Sequence, residues 1–145
     1  MRTRFWELKL EELTPPEWEA LCDRCGLCCL IKLRDEYDEV AYTDVACKLL
    51  NTKNAQCSDY AHRFDSVPDC LTLSMELLKR VDWLPQSCAY RLRLEDKPLP
   101  DWHPLISQNP LSVIEVRAGA AGRCVSEHSL SDEEIEERVV QWVEF

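Results

Sequence analysis

Between Cys22 and Cys29 the chain reads Cys-Asp-Arg-Cys-Gly-Leu-Cys-Cys, and eight of its nine cysteines fall between Cys22 and Cys88. Any fold this chain adopts must put those sulfurs somewhere definite. Thiolates are soft, strong ligands for zinc, iron and copper, and a gap of two residues lets one short turn aim successive sulfurs at a common centre. A cysteine-bound metal or iron–sulfur site is therefore the first expectation. A disulfide scaffold is disfavoured by the odd cysteine count and by an opening stretch, Met-Arg-Thr-Arg-Phe-Trp-Glu-Leu-Lys, that lacks the apolar core of an export signal. The expected compartment is the cytoplasm, where structural disulfides are rare and metal thiolates persist.

A length of 145 residues predicts one domain, residues 1–145. Its cysteine-bearing region covers about residues 5–105, and a strand-and-helix extension covers about residues 106–145. A net charge of −10 argues against nucleic acid and anionic membrane as partners, because both bind through basic patches. No apolar run approaches the length of a membrane span. The acidic excess concentrates in residues 131–145, where five Glu and one Asp face one Arg. A solvated face is the expectation there, with a docking tail for a protein partner as the alternative.

Three Gly against eight Pro suggest helices and stiff connections. Thr14-Pro15-Pro16-Glu17 is a helix start, with Thr14 as N-cap and Glu17 closing a capping box. Trp18 and Leu21 follow on one face, the helix runs into Cys22 and Cys25, and Gly26 permits the next turn. Val40 and Tyr42 alternate with Glu39 and Ala41 as in a short strand, after which Thr43 is expected to cap a helix over residues 44–50 carrying Cys47. Residues 51–68 are polar and irregular, and a metal could supply the order that packing does not. Leu73, Leu77, Leu78 and Val81 predict an amphipathic helix over residues 72–81. Residues 86–94 predict another bearing Cys88, residues 112–117 a strand, and Ser131 with Glu134 a capped helix through Trp142. The expected fold is mainly α with irregular loops and a few short strands, a small α+β domain stabilised by metal.

Cys22, Cys25 and Cys28 share the spacing with which bacterial ferredoxins present three thiolates to one cluster. Cys29 breaks that pattern, since it follows Cys28 directly and is followed by Leu30. Adjacent side chains diverge, so the doublet suggests either two neighbouring centres or one ligand beside a supporting thiol. Cys47, Cys57, Cys70 and Cys88 complete a set of eight, enough for one or two centres. Arg24, Lys32 and Arg34 flank the run and could offset thiolate charge. His62 is a minor candidate ligand, with His103 and His128 weaker ones. Cys124 is expected to be a small buried hydrophobe. No motif for hydrolysis, phosphate binding or dinucleotide binding is present, so the sequence offers no catalytic residue.

The run Cys22-x2-Cys25-x2-Cys28-Cys29 resembles the signature of the CxxCxxCC proteins, a zinc- or iron-chelating family, and within it the YcgN-like bacterial cysteine-cluster proteins. The resemblance extends through Phe5-Trp6, Glu17-Trp18-Glu19, Val45-Ala46-Cys47, Pro68-Asp69-Cys70, Trp83-Leu84-Pro85, Cys88-Ala89-Tyr90-Arg91 and Trp102-His103-Pro104-Leu105. It implies Cys22, Cys25, Cys28, Cys29, Cys47, Cys57, Cys70 and Cys88 as metal ligands, and zinc or iron as the metal. A related cysteine motif in flagellin lysine methylases, which are linked to an iron–sulfur cluster, keeps iron–sulfur or iron-dependent enzyme chemistry as an alternative. A metal-scaffolded interaction module is the other.

Overall fold

The computed structural model describes residues 1–68, 70 and 72–145. They form a small α+β arrangement of seven short helices and one three-stranded sheet, divided into two compact units. Neither unit is continuous in sequence. The first comprises Met1–Asp23, Leu73–Val116 and Glu144–Phe145, the second Arg24–Thr72 and Arg117–Val143.

The first unit is helical. Helix α1, Pro15–Leu21, opens with the expected capping box: the Thr14 hydroxyl accepts from the Glu17 N–H, and the Glu17 carboxylate accepts from the Thr14 N–H. Glu17 is fully buried, yet Arg2 supplies three further donors to it, from its main chain and its guanidinium. A buried carboxylate is tolerable only when its oxygens are met in this way. Helix α3 is Met75–Arg80 and α4 is Ala89–Leu94, and their inward faces bury Leu77, Leu78, Ala89 and Tyr90. The Tyr90 hydroxyl donates to the Trp18 carbonyl at 2.6 Å while the two rings pack 4.8 Å apart. Helices α5, Pro104–Ser107, and α6, Ser112–Glu115, complete the unit.

The second unit is built on a sheet. Strand β1, Leu30–Arg34, pairs antiparallel with β2, Val40–Ala46, and β2 pairs parallel with the two-residue β3, Val125–Ser126. Tyr42, Thr43, Val45 and Ala46 are almost completely buried. The register shifts between Leu30 and Lys32, and at that irregularity the Thr43 hydroxyl donates to the Ile31 carbonyl at 2.7 Å. Outside the sheet the unit's α-helices among the described residues are α2, Arg63–Ser66, and α7, Asp132–Glu136. From residue 56 to residue 72 no described residue is buried.

Four expectations need correction. Residues 44–50 form no helix: β2 runs through Ala46 because Tyr42, Thr43 and Val45 are aromatic or β-branched and fit a half-covered sheet, and a turn follows. Residues 112–117 form no strand: Ser112–Glu115 is helix α6. Asn109 opens it, its side chain accepting from the Leu111 N–H and its carbonyl from the Ser112 hydroxyl. The capping box of Ser131 and Glu134 is present, but α7 stops at Glu136. Beyond it Arg138 grips Asp44 with two bonds and Val140 donates to the Tyr42 carbonyl, so tertiary pairing outweighs helical propensity. Cys124 is half-buried and lies just before β3. Helices α3 and α4 fall inside the expected ranges but are shorter, with Ser74 and Cys88 as N-caps. Strand β1 went unforeseen. Asp69, part of one matching block, lies outside the described residues. Among the described residues no helix is long and apolar enough to cross a membrane.

Candidate metal centre

In the second unit the cysteine run is held as a turn. Gly26 adopts φ 77°, a conformation that side chains resist, and a Cβ there would meet the Ala55 Cβ at 2.9 Å. The Cys25 carbonyl accepts from the Ala120 N–H at 2.7 Å, and a Cβ on Gly119 would lie 2.3 Å from that oxygen. Both glycines are therefore needed for the approach of the flanking segments. Leu27–Cys29 then forms one 3-10 turn leading into β1.

Cys47 directly follows β2, and its N–H donates to the Cys29 carbonyl at 2.9 Å. The Leu49 N–H hydrogen-bonds to the Cys47 sulfur, an interaction that favours the thiolate. Cys57 pairs with Leu50 in an isolated bridge, which returns the chain to the same end of the sheet.

Two of these thiols, Cys29 and Cys47, are shifted by their neighbours. The Cys29 thiol is pushed far above its ordinary range, first by its hydrogen bond with Cys28, then by burial, then by the neighbouring Cys28, Cys47 and Cys70. Burial raises Cys47 as well, and Glu127, Cys70 and Cys57 add to the effect. Five cysteines from three segments, Cys28, Cys29, Cys47, Cys57 and Cys70, thus form one interacting group. As they stand, no three His, Cys, Asp or Glu side chains among the described residues converge in a geometry ready to hold a metal. With no cation among them, the negative charge of neighbouring sulfurs disfavours ionisation of Cys29 and Cys47.

One cation does stand beside them. The Lys32 ammonium donates to the Cys28 carbonyl at 2.9 Å and to the Leu30 carbonyl at 2.6 Å, and lies 5.2 Å from the centre of the Tyr42 ring. Burial lowers its pKa while Cys28 and Cys29 oppose that shift. Of the three basic residues expected to offset thiolate charge, Arg34 is exposed and pairs with Asp38, and Arg24 is exposed.

Cys25 is buried in the second unit, whereas Cys22, exposed at the end of α1, and Cys88, half-buried at the start of α4, belong to the first. His62 is exposed and contacts Asp59. His103 is buried and committed: one ring nitrogen donates to the Leu21 carbonyl at 2.8 Å and the other accepts from the Leu105 N–H at 3.0 Å. His128 is exposed. Glu127, unforeseen, sits beside Cys47. No spacing in the sequence could have joined two residues that meet only through strand pairing.

Residues 21–89 match a family described as a "Putative zinc- or iron-chelating domain", CxxCxxCC. A UPF0260 protein of Granulibacter bethesdensis is 49% identical over 140 residues, covering 95% of this chain and 83% of its own. The chain belongs to the UPF0260 family. A UPF0260 protein of Pseudomonas putida is 49% identical over 138 residues, 94% of this chain and 92% of its own. That of Aliivibrio fischeri is 59% identical over 109 residues, 74% of this chain and 75% of its own. No solved structure matches. In this UPF0260 chain the zinc- or iron-chelating match ends before β3 and α7, so Glu127 lies outside it.

Proposed function

We propose that the second unit binds zinc or iron through Cys28, Cys29, Cys47, Cys57 and Cys70, and that the ion organises the loop carrying the last two. The observation that carries this reading is that Cys29, whose carbonyl accepts from the Cys47 N–H, and Cys47 itself are both raised by neighbouring thiols, Cys28, Cys47 and Cys70 for the first and Cys70 and Cys57 for the second. Their chemistry fits the group: thiolate sulfurs with a nearby ammonium suit zinc or iron, and a bound cation would offset the repulsion that raises Cys29 and Cys47. Lys32 holds the Cys28–Leu30 main chain and places positive charge beside the doublet. The Leu49 N–H holds the Cys47 sulfur. When bound, zinc would supply a structural cross-link, and iron could in addition supply redox chemistry.

Cys22, Cys25 and Cys88 stand as further proposed ligands on the family resemblance, with one or two centres in total. The cytoplasm is the proposed compartment. The docking-tail alternative gains no support from the fold, because residues 138–140 hold Asp44, Thr43 and Tyr42 of β2 and are part of the sheet unit. The test is elemental analysis of anaerobically purified protein with an absorption spectrum. Colourless protein with stoichiometric zinc supports the structural site, and brown protein bleached by dithionite supports a cluster. Folded protein that contains neither metal and takes up neither contradicts the proposal. Anaerobic handling keeps the thiolates from oxidising.

A further inference from the structure

Ahead of β3 the sheet unit carries the loop Arg117-Ala-Gly-Ala-Ala-Gly-Arg123, with an arginine at each end. Three main-chain bonds pin it. The Ala120 N–H donates to the Cys25 carbonyl and the Gly122 N–H to the Thr52 carbonyl, each at 2.7 Å, and the Arg123 N–H donates to the Ala120 carbonyl at 2.9 Å. Arg117 is held at φ 57°, a conformation that a side chain adopts only where the surrounding structure imposes it.

The Arg123 side chain is fixed by its own loop and by the segment that follows α7. Its guanidinium lies over the Trp142 ring at 3.7 Å, and Nη1 donates to the Arg117 carbonyl and, at 3.3 Å, to the Gly119 carbonyl. The Nε and Nη2 groups have no hydrogen-bond partner among the described residues, and neither is sealed from solvent. Those two groups form the edge with which a guanidinium takes two oxygens of one anion. Stacking on Trp142 orders that edge before any ligand arrives, which lowers the cost of binding. Beside it there is room: a Cβ built on Gly122 would meet nothing within 4 Å.

We infer that the Nε–Nη2 edge of Arg123, with Arg117 beside it, is a binding site for a phosphate group. In a chain of net charge −10, neither arginine has an acidic partner among the described residues. Asp44, whose charge reaches the adjoining Cys124, is held by two bonds from Arg138. Burial, and then the charge of Arg117, hold the Arg123 pKa below its ordinary value, so an anion here meets two cations close together. A phosphate carries about −1.5 to −2 at neutral pH, and so matches two guanidiniums better than a singly charged carboxylate does. Free phosphate and a phosphate monoester offer this edge the same pair of oxygens.

The test is a titration of the full chain with inorganic phosphate, methyl phosphate, acetate and chloride at one ionic strength, followed by proton–nitrogen correlation spectra of the arginine Nε–H groups and the backbone amides. The expected result is a saturable shift of the Arg123 Nε–H signal, identified by its loss in Arg123→Lys, with the phosphates and not with acetate or chloride. Tighter binding of methyl phosphate assigns the site to a phosphate carried on a larger molecule, and tighter binding of inorganic phosphate to the free ion; both uphold the inference. Read from the Gly122 amide, Arg123→Lys, which keeps the charge and loses the fork, is expected to weaken phosphate binding about tenfold, and Arg117→Gln about threefold. Arg34→Gln makes the same charge change at an arginine paired with Asp38 and is expected to have no effect. An Arg123 signal unmoved by phosphate, or moved equally by acetate or chloride, overturns the inference. Equal weakening in Arg117→Gln and Arg34→Gln also overturns it, because binding then follows net charge alone. Should Arg123→Lys fail to fold, the comparison of Arg117→Gln with Arg34→Gln decides.

Discussion

The helical unit and the sheet unit solve the problem of stability differently. In the first, Phe5, Leu10, Leu21, Leu77, Leu78, Leu84 and Tyr90 are buried around α1, α3 and α4, and its two buried polar side chains of greatest consequence, Glu17 and His103, have hydrogen-bond partners. Apolar burial and the hydrogen bonds of these two groups explain most of such a unit. In the second, burial falls on the sheet, the cysteine turn, the segments around Ala55 and Ala120, and Val143, while residues 56–72 bury nothing among those described. The local order there is slight: Arg63 lies over Tyr60 and Phe64 at 4.0 and 4.5 Å, at an exposed site where such contacts contribute about 0.5–1 kcal/mol. Cys57 and Cys70 sit in this stretch. Where side chains cannot order a loop, coordination can, and the contrast teaches that two of the thiols, Cys57 and Cys70, sit where the core is thinnest.

The sharpest way to break this contrast is to remove the metal. Chelation of the purified protein is expected to cost the sheet unit stability on the scale of structural zinc sites, about 10 kcal/mol, seen as loss of a cooperative thermal transition. If the transition is unmoved, the two units do not differ in the way described.

Smaller tests address each unit alone. Leu21→Ala removes a fully buried side chain of α1 and is expected to lower stability by about 3 kcal/mol in denaturant unfolding while metal content is retained. Gly119→Ala drives a Cβ into the Cys25 carbonyl. It is expected to cost about 2 kcal/mol and, unlike Leu21→Ala, to weaken metal binding in a chelator competition. Equal effects of both variants on metal affinity would erase the distinction between the units.

The smallest effect belongs to pH. Burial holds the His103 pKa below its ordinary value, partly opposed by the Leu21 carbonyl and by Asp23. Below about pH 6.5 the unfolded chain therefore binds a proton that the folded chain refuses. Stability from this group is complete above that pH and is lost as pH falls toward the folded-state value. His103→Asn is expected to flatten this slope in denaturation curves between pH 7.5 and 5.5; an unchanged slope would remove His103 as its source.

Features that depend on neighbours in sequence were legible, and those made by distant pairing were not. The boxes at Thr14 with Glu17 and Ser131 with Glu134 need only a three-residue spacing, and both formed. The Gly26 turn was legible for the same reason. The length of α7 was not, because Arg138 and Val140 are claimed by Asp44 and Tyr42 nearly a hundred residues earlier. Strand β1 lay hidden in Leu-Ile-Lys-Leu-Arg, whose lysine reads as surface charge until the Cys28 and Leu30 carbonyls are seen to take it. The cysteine set was legible as a set, while the joining of Cys29 to Cys47 and of Cys47 to Glu127 required the sheet.

The central claim, that metal orders the loop of the sheet unit carrying Cys57 and Cys70, is tested most directly by hydrogen exchange on metal-loaded and metal-free protein, compared peptide by peptide. The expected result is that removal of the metal abolishes protection across residues 47–68 and weakens it in β2, while α3 keeps its own. Equal protection of residues 47–68 in both forms would contradict the account.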